Sequence, residues 1–158
     1  MEGYGAASCP DLALTFAVAA VRATAAAMTV NVGPLWSYEI TLPPEPQSVG
    51  TARRFVRERL NVHQLPLLVD DVTLVASELA TNALSHAGTP FTVTITAFAH
   101  DVVLEVRDGG ASRPNRVDAR TDACVGRGMA IVDVVCRDWG VVVDGNVGKA
   151  VWASFEPV

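Results

Sequence analysis

The sequence predicts a single α/β domain. Its 158 residues are 50% hydrophobic and 18% charged, which is enough for one well-filled core but hardly for two domains. Stretches with strand-like alternation are interleaved with stretches of helical periodicity. Three short polar patches lie among them, in the order Glu78 with Asn82, Asp108-Gly109-Gly110, and Gly126-Arg127-Gly128. We therefore expect the domain to occupy residues 36–158, after an Ala-rich N-terminal extension over residues 1–35.

The extension contains an apolar stretch from Leu12 to Val21. Glu2 and Asp11 make its leading region acidic rather than basic, and Arg22 interrupts the apolar run too early for a membrane span. These features oppose a secretory leader and favour either an Ala-rich helix or a gene start at Met28. No membrane partner is expected.

The first predicted elements of the domain are a strand and a helix. The alternation in WSYEITLP predicts a strand from Trp36, and the run Pro43-Pro44-Glu45-Pro46 ends the strand and opens a helix. The apolar stripe of this helix consists of Val49, Ala52, Val56 and Leu60. Its opposite face carries Arg53, Arg54, Arg57, Glu58 and Arg59. That charged face indicates either ordinary solvated surface or a binding surface for an acidic partner.

A second helix is expected from Pro66 to about His86, where Gly88-Thr89-Pro90 ends it. Its apolar sector consists of Leu68, Val72, Val75, Ala76, Leu79 and Ala83. A narrow polar stripe lies beside that sector and consists of Asp71, Glu78, Asn82 and Ser85. Glu78 and Asn82 are one turn apart and therefore project together. An isolated pair of this kind is ordinary helix surface, so its significance depends on the other two patches.

Two strands are predicted next, over Phe91–Phe98 and Val102–Arg107, with Asp108 closing the second. An acid at that position can accept a hydrogen bond from an exocyclic amine such as that of adenine. Gly109 and Gly110 would let the backbone approach a flat base. Taken alone, Asp-Gly-Gly is equally a plain turn.

Residues 111–125 have no clear periodicity and are predicted to form a lid. The Gly126-Arg127-Gly128 turn follows and opens a buried helix over Met129–Val135, whose first amides are suited to phosphate oxygens. A closing hairpin is expected from Trp139–Asp144 and Ala150–Phe155.

Charge and cysteine content exclude several classes of protein. The formal net charge of −5 leaves no basic footprint for nucleic acid. Of the 12 basic residues only Lys149 is lysine, a bias that we attribute to codon usage. Cys9, Cys124 and Cys136 lack CxxC spacing and suggest neither a disulfide framework nor a zinc site, so a reducing cytoplasm is expected.

The motifs together resemble the Bergerat-fold ATPases, which include gyrase, heat-shock chaperone, histidine-kinase and mismatch-repair proteins. ELATNALSHAG, DGG, GRGMAIVD and the closing WG…GKAVWASF look most like the anti-sigma-factor serine kinases and their actinobacterial relatives. Neither a GxxxxGK[ST] loop nor a GxGxxG fingerprint is present. The resemblance covers residues 36–158 and implies a two-layer α/β sandwich, with a mixed, mostly antiparallel sheet and helices on one face.

The resemblance also implies ATP and Mg²⁺ as cofactors and assigns roles to the matching residues. Asn82 would coordinate magnesium through its carboxamide oxygen. Glu78 would be the catalytic residue, polarising the attacking hydroxyl of a partner serine or of water. Asp108 would read adenine and Gly110 would permit close packing of the base. The phosphate cradle would consist of Gly126, Arg127 and Gly128.

This sequence departs from the family at two places. Ala150 stands where relatives often carry threonine, which can add a hydrogen bond near adenine, and the loss of one such bond costs about 0.5–1.5 kcal/mol. Ala123-Cys124-Val125 also lacks the acidic or serine residues expected before the glycine turn. Binding of ATP is thus a firmer expectation than catalysis.

Three functions remain open from the sequence. The first is a protein-serine kinase that phosphorylates an anti-sigma-factor antagonist and also sequesters a sigma factor, with a homodimer expected from the family. The second is a catalytically silent, ATP-sensing interaction module. The third is an interaction domain that has lost nucleotide and binds its partner through the helix face from Arg53 to Arg59.

Overall fold

The computed structural model of the chain describes residues 33–110, 127–144 and 148–157. Within these ranges the helices are α1 (Pro46–Val62), α2 (Val69–Ala87) and α3 (Arg127–Val135). The strands are β1 (Trp36–Leu42), β2 (Phe91–Ala97), β3 (Val102–Asp108), β4 (Asp138–Asp144) and β5 (Gly148–Phe155). A short 3₁₀ turn, Pro66–Leu68, precedes α2. The elements expected between Trp36 and Asp108, and the closing hairpin, are therefore present at nearly the expected bounds.

The strands form one sheet in the order β1-β2-β3-β5-β4, and each described pair is antiparallel. The sheet expected to be mixed is thus wholly antiparallel in its described part. The register places Leu42 opposite Phe91, Phe91 opposite Asp108, and Asp108 opposite Lys149. The strands β1 and β3 end, and β2 and β5 begin, at this side of the sheet. We call it the Asp108 end of the sheet.

The helices cover one face of the sheet and enclose the core with it. The predicted apolar sector of α2 is confirmed, since all six of its residues are buried. α1 buries Ala52, Val56 and Leu60 as predicted, whereas Val49 is only half-buried and Phe55 is buried in addition. From the sheet, alternate residues of β2 and β3 such as Val93 and Leu104 complete the core. These findings show a two-layer α/β sandwich.

The helix α3 departs from the prediction of a buried helix. Met129 and Val132 are buried, but Ile131 is 37% exposed and Val134 is 84% exposed. α3 packs on α2 and on β4 at the margin of the helical layer. Only one face of the helix is therefore covered, although its sequence is apolar on more than one face.

The second face of the sheet carries an ion pair between a buried carboxylate and a half-buried arginine. Glu105 is 6% exposed, and Arg107, two residues along β3, places its Nη2 atom 3.3 Å from Glu105 Oε1. Burial raises the pKa of the Glu105 carboxyl above its ordinary value, although the positive charge of Arg107 and its hydrogen bond act in the opposite direction. Trp152 of β5 stands opposite Glu105 in the register.

Several predictions fall on residues that the structure does not describe. The extension lies almost wholly outside the described residues, as do the lid predicted over residues 111–125 and Gly126. The boundary between residues 1–35 and 36–158 stays a prediction. Among the described helices, none is long and apolar enough to cross a membrane.

Candidate nucleotide-binding site

The helix α2 carries the first polar patch. Glu78 and Asn82 are both half-buried and lie one turn apart. At 1.5 Å per residue they are separated by about 6 Å along the helix axis. The carboxylate of Glu78 has no hydrogen-bond or ion-pair partner among the described residues. Gly88 ends the helix in the left-handed conformation, with φ of 60° and ψ of 21°, which fixes where the chain turns toward β2.

The side chain of Asn82 joins α2 to the first turn of α3. Its Nδ2 donates to Sδ of the buried Met129 over 3.6 Å. A thioether is a weak acceptor, so this contact orients the carboxamide without holding it strongly. One N–H of Nδ2 is thereby used within the protein, and the carbonyl oxygen Oδ1 has no hydrogen-bond partner among the described residues.

Asp108 is a buried carboxylate at the end of β3, with 5% of its surface exposed. Its Oδ1 accepts a hydrogen bond of 3.0 Å from the backbone N–H of Gly110. Its Oδ2 lies 4.0 Å from Nζ of Lys149, the residue that stands opposite it on β5. One oxygen is therefore held by the turn, and the other faces a cation across the strand pair.

The glycines after Asp108 bring the end of α2 against this turn. A Cβ on Gly110 would lie 2.9 Å from Asp108 Oδ1 and 3.2 Å from the Cβ of Ala87. The N–H of Gly109 donates to Oγ1 of Thr89 over 3.0 Å. Asp-Gly-Gly is thus a turn that is held to the C-terminal end of α2. Gly110 packs on Ala87, and Gly109 donates a hydrogen bond to Thr89 just after the helix.

Gly148 fixes the backbone on the other side of Asp108. It has φ of +125°, and a Cβ there would lie 1.9 Å from the carbonyl oxygen of Asp108. No side chain fits at such a distance, and the φ value itself is one that L residues rarely adopt. Glycine is therefore required where β5 begins beside Asp108.

The structure brings some of the predicted site residues together, and it does not describe the surroundings of the others. Asp108 and Gly110 meet the end of α2, and Asn82 of the same helix contacts α3. Arg127 and Gly128 are the first residues of α3 rather than a turn preceding it, and their side-chain surroundings lie outside what the structure describes. α2 is therefore the element that links the patches.

Four contributors were not singled out from the sequence: Ala87, Thr89, Met129 and Lys149. Lys149, rather than Ala150, is the residue of β5 that stands opposite Asp108, whereas Ala150 stands opposite Arg107. The one available signal for Lys149 was its rarity, which we attributed to codon usage. The side chains of Thr89 and Met129 gave none, because their roles depend on contacts between distant segments.

Comparison with known families agrees with this geometry. The family described as histidine kinase-like ATPase domain matches residues 42–155, a range that includes α1 to α3 and the strands β2 to β5. No curated protein matches the chain. The match covers well over half of the sequence and contains the residues of each of the three patches. The chain therefore belongs to the histidine kinase-like ATPase domain family, whose members bind ATP.

Proposed function

We propose that this protein binds ATP with Mg²⁺ and transfers the terminal phosphoryl group to a serine of an anti-sigma-factor antagonist, and that it also sequesters a sigma factor. The observation that carries the proposal is the order of groups along α2. Ala87 packs against the Asp108 turn, Asn82 lies about 7.5 Å earlier along the axis, and Glu78 about 6 Å earlier again. α2 thereby joins the turn that we assign to the base to the residues that we assign to the metal and to proton transfer.

The Asp108 end of the sheet supplies the site for the base. Asp108 Oδ1 is held by the N–H of Gly110, which leaves Oδ2 to accept from the exocyclic amine of adenine. Gly110 lets the turn pack closely on Ala87 at the end of α2, which holds the carboxylate of Asp108 in place beside the proposed base. A buried carboxylate with one uncommitted oxygen fits a ligand that donates a single N–H.

The carboxamide of Asn82 fits a magnesium ion. Its Oδ1 is available because Nδ2 contacts Met129, and Mg²⁺ in nucleotide sites takes few protein oxygens beside phosphates and water. Within the described residues no cluster of three or more His, Cys, Asp or Glu side chains is suited to a metal. The cation neutralises charge on the phosphates when it is bound.

Glu78 is the residue that we assign to proton transfer. It is half-buried and has no partner for its carboxylate among the described residues, which suits a base that must accept a proton from a hydroxyl. Acceptance of the serine proton at Oε1 or Oε2 makes that hydroxyl a better nucleophile toward the terminal phosphorus. As the new O–P bond forms, the bond from that phosphorus to the β–γ bridging oxygen breaks and ADP leaves.

The Arg-rich face of α1 supports a protein partner. Arg53, Arg54 and Arg57 are exposed, and no ion pair is found for them within the described part of the chain. Three arginines on one helix face are suited to carboxylates of an acidic protein. If the protein is instead an interaction domain that has lost nucleotide, it binds its partner through this face alone and has no affinity for ATP.

The test uses the purified full chain with Mg·ATP and, in turn, the antagonist-type proteins of its source organism, with phosphoserine detected by mass spectrometry. Glu78→Gln is expected to lower phosphotransfer by about 10²- to 10⁴-fold while ATP binding is retained. Glu39→Gln, on the exposed side of β1, is the matched control and leaves the rate unchanged.

The alternatives give different results in the same experiment. A catalytically silent ATP sensor binds ATP and phosphorylates none of the candidates, and this result would replace the kinase proposal with the sensor. A domain that has lost nucleotide shows no ATP binding by calorimetry. Phosphotransfer that persists undiminished in Glu78→Gln would remove Glu78 from the mechanism.

A further inference from the structure

We propose that Lys149 determines the base specificity of the nucleotide site by acting as the positioning residue of Asp108. It supplies the counter-charge that keeps the carboxylate turned toward the exocyclic amine of the base. The inference rests on the proposed ATP site. It adds a residue of β5 that the three polar patches do not contain, and its effect is on the choice among purine nucleotides.

The separation of the two charged groups is the first argument. Nζ of Lys149 lies 4.0 Å from Oδ2 of Asp108, which is within ion-pair distance but beyond the length of a direct N–H···O hydrogen bond. The ammonium group thus offsets the charge of Oδ2 without occupying its lone pairs. Oδ2 remains able to accept a hydrogen bond from a ligand.

Burial makes that counter-charge necessary. Asp108 is 95% buried, and Lys149 is the one cation that pairs with it among the described residues. A buried carboxylate that loses such a partner is left as an uncompensated charge. Such a group relieves the cost by turning toward solvent or by drawing water into the site. Either response removes the acceptor from the position where the base amine would meet it.

The backbone places Lys149 with little freedom. It stands opposite Asp108 in the β3–β5 register, so both side chains are on the face of the sheet that the helices cover. Gly148, the preceding residue, fits against the carbonyl of Asp108 where no Cβ is possible. The side chain of Lys149 is 30% exposed, and a lysine at this degree of burial can pack its stem while its ammonium group reaches water.

The test compares two nucleotides that differ only at the amine. ATP and purine riboside 5′-triphosphate, which lacks the 6-amino group, are titrated with Mg²⁺ into the full chain by calorimetry. The wild type is expected to prefer ATP by about tenfold or more, the size of a hydrogen bond to a charged group. Lys149→Met is expected to bring the two affinities within about threefold of each other, and Lys149→Arg to restore most of the preference.

The ratio of the affinities for ATP and for the analogue separates the positioning of Asp108 from two other roles of Lys149, a charge effect on the phosphates and general packing. Loss of a positive charge near the phosphates weakens both nucleotides alike and leaves the ratio unchanged, and so does a general loss of packing. Arg137→Met removes the same charge from a half-exposed residue just before β4 and is expected to keep the wild-type ratio. If circular dichroism shows that Lys149→Met does not fold, Lys149→Gln carries the comparison.

The outcomes are distinct for the two proposals. A wild-type ratio that persists in the Lys149 variants overturns the inference. A wild-type protein that binds ATP and the analogue equally also overturns it, yet leaves the proposed phosphotransfer standing. A wild-type protein that binds neither nucleotide overturns the proposed function itself.

Discussion

The carbonyl oxygen of Asp108 lies 1.9 Å from the point where a side chain on Gly148 would begin. This close approach joins the end of β3 to the start of β5 and brings Lys149, the next residue, opposite the buried carboxylate. The geometry of the proposed base site therefore depends on a residue that has no side chain.

Gly148→Ala is expected to destabilise the domain by about 2 kcal/mol or more, because the new Cβ must displace the Asp108 backbone and φ of +125° is strained for alanine. Urea unfolding measures the change. Gly33→Ala is the control, since nothing lies within 4 Å of its added Cβ. Equal stabilities for the two variants would show that β5 does not need this approach.

Asp108→Asn is expected to weaken ATP binding by about 10- to 150-fold, because a hydrogen bond to a charged acceptor contributes about 1.5–3 kcal/mol. The substitution also leaves Lys149 without its anion. Calorimetry with ATP and ADP measures the effect. Asp71→Asn, on the exposed start of α2, is the control and keeps wild-type affinity. Unchanged binding in Asp108→Asn would place adenine elsewhere.

Asn82→Ala is expected to weaken ATP binding by about tenfold or more when Mg²⁺ is present and to have little effect in EDTA, because the lost oxygen acts on the metal. Titrations under both conditions measure the difference. Asn61→Ala, on exposed α1 surface, serves as the control. An equal loss with and without Mg²⁺ would assign Asn82 to packing against Met129 instead.

The buried Glu105 is expected to make stability depend on pH. Burial raises the pKa of its carboxyl above the ordinary value of 4.5, so between that value and the raised one the folded protein keeps a proton that the unfolded chain has released. Because the folded state binds this proton more tightly, the free energy of unfolding falls as the pH rises through that window. Urea unfolding across a pH series measures the slope.

Glu105→Gln is expected to flatten that part of the stability profile, because the amide does not titrate. Glu39→Gln, on the exposed side of β1, is expected to leave the slope as it is in the wild type. A slope that is the same in wild type and Glu105→Gln would contradict the assignment.

Local periodicity was sufficient to predict α2. Nineteen residues provide five turns, and the apolar sector from Leu68 to Ala83 could face only one way, so Glu78 and Asn82 were placed on the adjoining stripe. Asp108 could be placed at a strand end for a similar reason, because alternation in β3 stopped there. Elements with a long, regular pattern define their own orientation.

The pairing of β3 with β5 could not be predicted in the same way. It joins residues about forty positions apart, and no local pattern states which of Lys149 and Ala150 stands opposite Asp108. The exposure of Val134 was missed for a related reason, since an apolar run does not show whether a helix lies inside a layer or at its margin. Both properties belong to the assembled fold.

The helix α3 contacts a different element toward each of its ends. Oδ1 of Asp133 accepts a 3.0 Å hydrogen bond from Nε1 of Trp139 on β4, which ties the C-terminal half of the helix to the sheet. The N-terminal end, at Arg127, is joined to α2 through the weak contact between Met129 and Asn82. The helix α3, anchored in the core by Met129 and Val132, therefore connects Asn82 of α2 to the indole of Trp139 on β4, and the fluorescence of that indole is a signal by which a displacement of the helix can be measured.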